Sequence, residues 1–279
     1  MCHAEHTGTH PVVQEVFQRR RFGLGNMQTA AHHISLKGGR GLGVGAASGE
    51  LELLRLNVVS TFDLYDVTPQ LIDAASRAAT EQGFGNRVRC HVADVNGIEL
   101  PRDSYDLITF ISSLHHVEQL EHVLGQCYGA LRPGGVLYAQ EYVGPSRFAF
   151  PPDHVELARK IYRTLDPALR CGQPDLPVPD PLAVAEADPT ESVRSAEIIG
   201  VCRRVFPAIH IIPEDVCLTL ILWYGLNYDT LYDTQAGHDL VSWLLEVDQA
   251  LVRSGRLPAY HVEILARRLA DTSSEEGLG

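Results

Sequence analysis

Between residues 41 and 144 the chain alternates short apolar, β-branched runs with stretches whose apolar positions recur at helical spacing. Leu42–Gly45, Val58–Tyr65, Arg87–Val92, Tyr105–Ile111 and Val136–Glu141 read as strands. Between them, Gly49–Leu56, Pro69–Gln82 and Glu118–Leu131 read as helices; Pro69 opens the second, and Arg132-Pro133-Gly134-Gly135 stops the third. Strands that alternate with helices need crossover connections, which predicts an α/β architecture: a mostly parallel sheet with helices on both faces.

The pattern changes after Gly144-Pro145. Pro167–Pro189 is proline-rich and reads as an extended linker with few backbone donors. Asp188-Pro189-Thr190-Glu191 reads as a capped helix start. Ile209–Ile212 predicts a sixth strand, Glu214–Leu226 and Asp239–Val252 two helices, and Tyr260–Leu265 a closing seventh strand. Upstream, Pro11–Phe22 reads as a short amphipathic helix; downstream, Asp271–Gly279 reads as a frayed polar end. The expected organisation is an N-terminal helical segment (1–40), a ligand-binding core (41–144), a proline-rich and helical cap (145–205), returning strands with inserted helices (206–268) and a tail (269–279).

Composition narrows the function. The chain is 45% hydrophobic, yet no apolar run approaches the ~20 residues of a membrane span, and no basic region precedes an apolar stretch at the start. A net charge of −12 opposes binding to a polyanion, so nucleic acid is not expected as a partner. Arg19-Arg20-Arg21 is short and reads as a solvated helix end. The six cysteines form no C-x-x-C pair, which points to reduced thiols in a cytoplasmic protein. Cys2, His3, His6 and His10 read as part of a tail, and no metal-ligand set is expected. The expected partner is a small molecule, with no membrane contact; the oligomeric state stays open, a homodimer included.

The chemistry concentrates in Gly43-Val44-Gly45-Ala46-Ala47-Ser48-Gly49, a small-residue loop between a strand and a helix that lets backbone approach a ligand. Asp66, at the end of the second strand and followed by Val67, is placed to accept two ribose hydroxyls. Ala93-Asp94-Val95 follows the third strand, where a polar side chain can meet an adenine amino group. Ser112-Ser113-Leu114-His115-His116-Val117 follows the fourth, and Leu131-Arg132-Pro133-Gly134-Gly135 precedes the fifth. In this order, across about Gly41–Gly144, these motifs resemble the class I S-adenosylmethionine-dependent methyltransferases. The resemblance implies a Rossmann-like fold with a seven-stranded sheet and S-adenosylmethionine as cofactor. It assigns the methionine part to the glycine loop (Gly45, Gly49), the ribose to Asp66 and the adenine to Asp94, with Gly43, Val67, Val95 and Ser112 as adjoining positions.

Two positions depart from the family. An acidic residue usually stands where this chain has Gly43, and a glycine where it has Ala47, which puts the hold on the methionine amine in doubt. A dinucleotide fingerprint, Gly41-x-Gly43-x-x-Ala46, competes loosely, but Lys37-Gly38-Gly39-Arg40 is a poor strand to precede it. Candidate proton-handling residues are His115, His116, Glu141 and Tyr142, because the ends of parallel strands converge on a cleft. Arg194, Tyr224, Asn227 and Tyr228 are the candidate substrate contacts. The expected reaction is methyl transfer to N, O or C of a small molecule. The alternatives are ring closure of the cofactor to azetidine-2-carboxylate by an amine that Gly43 leaves unpinned, and cofactor binding without catalysis.

Overall fold

The computed structural model describes residues 10–13, 15, 26–45 and 47–270. Helix α1 (Asn26–Ile34) leads into β1 (Arg40–Val44), α2 (Ser48–Arg55), β2 (Thr61–Asp66), α3 (Pro69–Glu81), β3 (Val88–Val92), β4 (Tyr105–Ile111), α4 (Leu120–Ala130) and β5 (Leu131–Tyr142). Helices α5 (Pro152–Thr164), α6 (Pro181–Ala187) and α7 (Ile198–Val205) precede β6 (Ala208–Pro213), α8 (Leu218–Trp223), α9 (Tyr228–Asp233), α10 (Gln235–Arg253) and β7 (His261–Arg267). Of the helix expected over Pro11–Phe22, residues 11–13 and 15 are helical. The rest of it, with Arg19-Arg20-Arg21, and also Cys2, His3, His6 and Asp271–Gly279, lies outside the described residues.

The seven strands form one sheet in the order β3-β2-β1-β4-β5-β7-β6. β1 pairs in parallel with β2 and β4, β2 with β3, and β4 with β5. β7 runs against β5: Gly134 N–H donates to the Arg268 carbonyl at one end, and Val143 N–H to the Tyr260 carbonyl at the other. The expected seven-stranded, mostly parallel sheet is the one observed.

Several boundaries differ for physical reasons. Strand β2 begins at Thr61, not Val58, because Asn57 turns left-handed at φ 56° and Val58 N–H reaches back to the Leu53 carbonyl, closing α2. The segment from Asp188 is a run of turns, not a helix: Asp188 Oδ1 accepts both the Thr190 N–H and its hydroxyl, at 2.8 and 2.7 Å. The proline-rich stretch is not extended throughout, since Asp180 caps α6 at Pro181. The helix expected over Glu214–Leu226 shrinks to α8, because Glu214 N–H still bonds the sheet at the His261 carbonyl.

By packing, the chain divides into two compact units. The sheet unit comprises Ala30–Glu141, Glu197–Ile212 and Glu263–Gly279, and buries Leu42, Leu53, Phe62, Leu64, Phe110 and Tyr138. The helical unit comprises Met1–Thr29, Tyr142–Ala196 and Pro213–Val262, with Tyr162, Ile221, Trp223, Val241 and Leu245 in its core. His10 belongs to that packing: Val12 N–H donates to its Nδ1, and its Nε2 donates to the Leu231 carbonyl at 2.8 Å. Among the described residues no helix is long and apolar enough to cross a membrane.

Candidate active site

The glycine loop leaves the carboxyl end of β1. Gly45 sits at φ 112°, a conformation that strains any side chain, and a Cβ there would meet Ser113 Cβ tightly at 3.1 Å. Ala47, at φ 67°, takes the left-handed conformation that glycine would adopt without strain and that costs an L-residue about 1–2 kcal/mol. Gly49 lies in the first turn of α2. Gly41 and Gly43 lie inside β1, which removes the dinucleotide fingerprint: its glycines would have to form the turn, not the strand.

Glycine at 43 does not leave that face of β1 without a carboxylate. A Cβ at Gly43 would lie 2.6 Å from Glu50 Cγ, so Glu50, reaching back from α2, fills the volume a side chain at 43 would take. Its Oε1 accepts the Thr109 hydroxyl at 2.8 Å, and the residue is 2% exposed. Burial pushes its pKa up from 4.5 to about 7 against the pull of the Thr109 hydrogen bond. The folded chain therefore holds a proton that the unfolded chain has lost between about pH 4.5 and 7. Stability from this group is full below that window and falls as pH rises through it, by about 2–4 kcal/mol. Glu50→Gln should gain stability on the wild type as pH rises from 5 to 8 in urea unfolding; parallel pH trends would contradict this.

Asp66 ends β2, half-buried, and its Oδ1 accepts the Thr68 N–H at 2.7 Å. Val67 beside it is 65% exposed, an apolar surface next to a carboxylate. Asp94 is exposed after β3, with Oδ1 engaged by the Asn96 N–H and side-chain amide at 2.9 Å, and Val95 half-buried next to it. Ser112, exposed and at φ 52°, leaves β4 with its N–H on the Gln140 carbonyl.

Ser113 joins these ends of the sheet. Its hydroxyl donates to the Val44 carbonyl, at the root of the glycine loop, at 2.6 Å. Its N–H and that of Leu114 both donate to Glu141 Oε1 at 2.6 Å. Glu141 is fully buried, and its second oxygen, Oε2, accepts His115 Nδ1–H at 2.7 Å. A carboxylate held by two backbone donors thus fixes the orientation of the His115 ring. The His116 ring lies 4.4 Å from that of His115.

The other candidates belong to the helical unit. The Tyr142 hydroxyl donates to the Pro145 carbonyl at 2.9 Å, and burial holds its pKa far above the ordinary phenol value, so it keeps its proton. Its ring meets Phe148, Tyr260 and His261 at 5.0–6.2 Å between centroids. Tyr224 joins through Phe148 and Phe150. Phe148 reaches this cluster through two successive left-handed residues, Arg147 (φ 56°) and Phe148 (φ 53°). The Arg147 guanidinium steadies the bend by donating to the carbonyls of Asp188, Pro189 and Glu191. Asn227 caps α9 through the Thr230 N–H, Tyr228 packs edge-on against Trp223, and Arg194 is half-buried in the turns after α6. Tyr142 and Tyr224 therefore share a cluster through Phe148.

Glu50, Ser113, Phe148, Phe150 and Tyr260 were not singled out from sequence. Glu50 follows Gly49 as an ordinary first-turn acid would, and only the strand register shows which face it covers.

Residues 42–137 match the family model described as a methyltransferase domain. The chain is 28% identical over 108 residues to 27-O-demethylrifamycin SV methyltransferase of Amycolatopsis mediterranei, covering 38% of this chain and 39% of that protein. It is 28% identical over 105 residues to a ubiquinone biosynthesis O-methyltransferase of Coxiella burnetii, covering 38% and 44%. The chain thus spans about two-fifths of the length of these relatives. Among solved structures, geranyl diphosphate C-methyltransferase from Streptomyces coelicolor aligns with a TM-score of 0.53 at 13% identity, over 95% of this chain and 85% of that one. An S-adenosylmethionine-dependent methyltransferase from Mesorhizobium loti aligns with a TM-score of 0.51 at 19% identity, over 86% and 96%. These likenesses show a shared fold.

Proposed function

We propose that the protein is an S-adenosylmethionine-dependent enzyme that methylates a small molecule, because residues 42–137 match the methyltransferase-domain family model and the sheet runs in the order β3-β2-β1-β4-β5-β7-β6. The observation that carries the proposal is Ser113, which ties the glycine loop at Val44 to the Glu141–His115 pair within one unit. Bound there, the cofactor supplies an electrophilic methyl group. Asp66 accepts the ribose hydroxyls, Asp94 the adenine amino group, and Val67 and Val95 give the purine apolar cover, with Gly45 and Gly49 leaving backbone room for the methionine part. His115 Nε2 takes the proton of the attacking N, O or C nucleophile, and Glu141 stabilises the imidazolium that forms. The His116 ring, tilted against that of His115 at 4.4 Å between centroids, adjoins the base.

The aromatic cluster of Tyr142, Phe148, Phe150, Tyr224 and Tyr260 is the candidate apolar surface of the helical unit, and Arg194, Asn227 and Tyr228 remain candidate substrate contacts. The half-buried rings of Phe148, Phe150 and Tyr224, packed with the buried rings of Tyr142 and Tyr260, suit an acceptor with an apolar or planar body. The relatives named for a rifamycin and for ubiquinone biosynthesis support that class. Ring closure of the cofactor is the second reading, and Glu50, a carboxylate beside Gly43, weighs against it. Incubation with S-adenosylmethionine and a panel of apolar phenols, enols and amines, followed by mass spectrometry, tests the proposal. The expected result is S-adenosylhomocysteine formed only with an acceptor. Methylthioadenosine and a new amino acid formed without one would contradict it.

A further inference from the structure

We propose that Glu50 is a positioning residue for the cofactor: its carboxylate, delivered from α2 across the face that Gly43 leaves open, attracts the methionine ammonium at the glycine loop. This rests on the methyltransferase reading above.

Glycine inside a strand weakens it and marks a close approach by another group. Here that group is the Glu50 side chain, which a Cβ at Gly43 would strike at Cγ and approach to 3.1 Å at the carboxyl carbon. Gly43 lies in register with Leu64 on one side and Thr109 on the other, so the carboxyl rests on the middle strands directly below the loop. A position needing only bulk would be filled by an apolar side chain at no desolvation cost. Burial acts on this carboxyl with the Thr109 hydroxyl and its own backbone N–H, and no cation is among those influences. The charge is left for a ligand to match.

The surrounding charges do not supply that match. Leu64 and Thr109 share the carboxyl's side of the sheet, and the same side of β2 ends in another carboxylate, Asp66. On the opposite side Asp63 is paired with Arg40. On α2 itself Arg55 pairs with Glu52 at 2.6 Å. Titrating near neutrality, Glu50 carries its charge above about pH 7 and largely loses it below about pH 6.

Calorimetric titration with two probes tests this: S-adenosylhomocysteine, which has the ammonium, and methylthioadenosine, which has the same nucleoside without it. At pH 8, Glu50→Gln should bind the first about tenfold more weakly, as for a lost partner to a charged group, and the second within about twofold of wild type. At pH 6 the gap should close to about threefold. Equal loss of both probes, or loss of neither, overturns the proposal. Should Glu50→Gln not fold, the wild type still decides: its preference for S-adenosylhomocysteine over methylthioadenosine must grow from pH 6 to 8, and a constant preference overturns the proposal alone. Failure of the wild type to bind either probe overturns the underlying reading as well.

Discussion

Replacing His115 by Asn is expected to lower the rate of methyl transfer by about 10²- to 10⁴-fold, the usual contribution of a general base, with cofactor affinity within about twofold of wild type. The expectation follows from how the ring is held. Glu141 is fully buried, fixed by the Ser113 and Leu114 N–H groups, and accepts His115 Nδ1–H at 2.7 Å. Glu141→Gln should cost less, about 10- to 100-fold, because the ring survives and only the charge behind it goes. The rates of the two variants decide the matter. A rate unchanged by His115→Asn would remove the residue from the chemistry.

Asp248→Ala should cost about 3–5 kcal/mol of stability, as when several buried donors lose one shared acceptor. Asp248 is fully buried on α10, and its two oxygens accept the N–H groups of Cys217, Leu218 and Thr219 at 2.8–2.9 Å. Those are the first donors of α8, all of whose side chains are buried. Urea unfolding should show a midpoint shift of that size; a loss below about 1 kcal/mol would mean that the α8 donors find other partners.

The sheet was legible because its signals are local. Apolar runs of strand length, Pro69 at a helix start and the Arg132-Pro133-Gly134-Gly135 stop each act on their own neighbours. Asp66 was legible for the same reason, since strand end and acidic residue are adjacent in sequence. The helical unit was less so. Pro151-Pro152 opens α5, which the sequence pattern did not announce, and the acidic cap at Asp188 closes on its own turn. The aromatic cluster draws residues from 142 to 260, and no spacing rule links positions so far apart. Gly43 was legible only in part: Glu50, seven residues on, fills the volume beside it, and only the fold brings the two together.

The central claim is that the sheet unit binds S-adenosylmethionine with Asp66 on the ribose. Its most direct test is calorimetric titration of the protein with S-adenosylhomocysteine and, separately, with NADH. Saturable binding of S-adenosylhomocysteine is expected, weakened by about 2 kcal/mol in Asp66→Ala, and none of NADH. Binding of NADH without S-adenosylhomocysteine would contradict it.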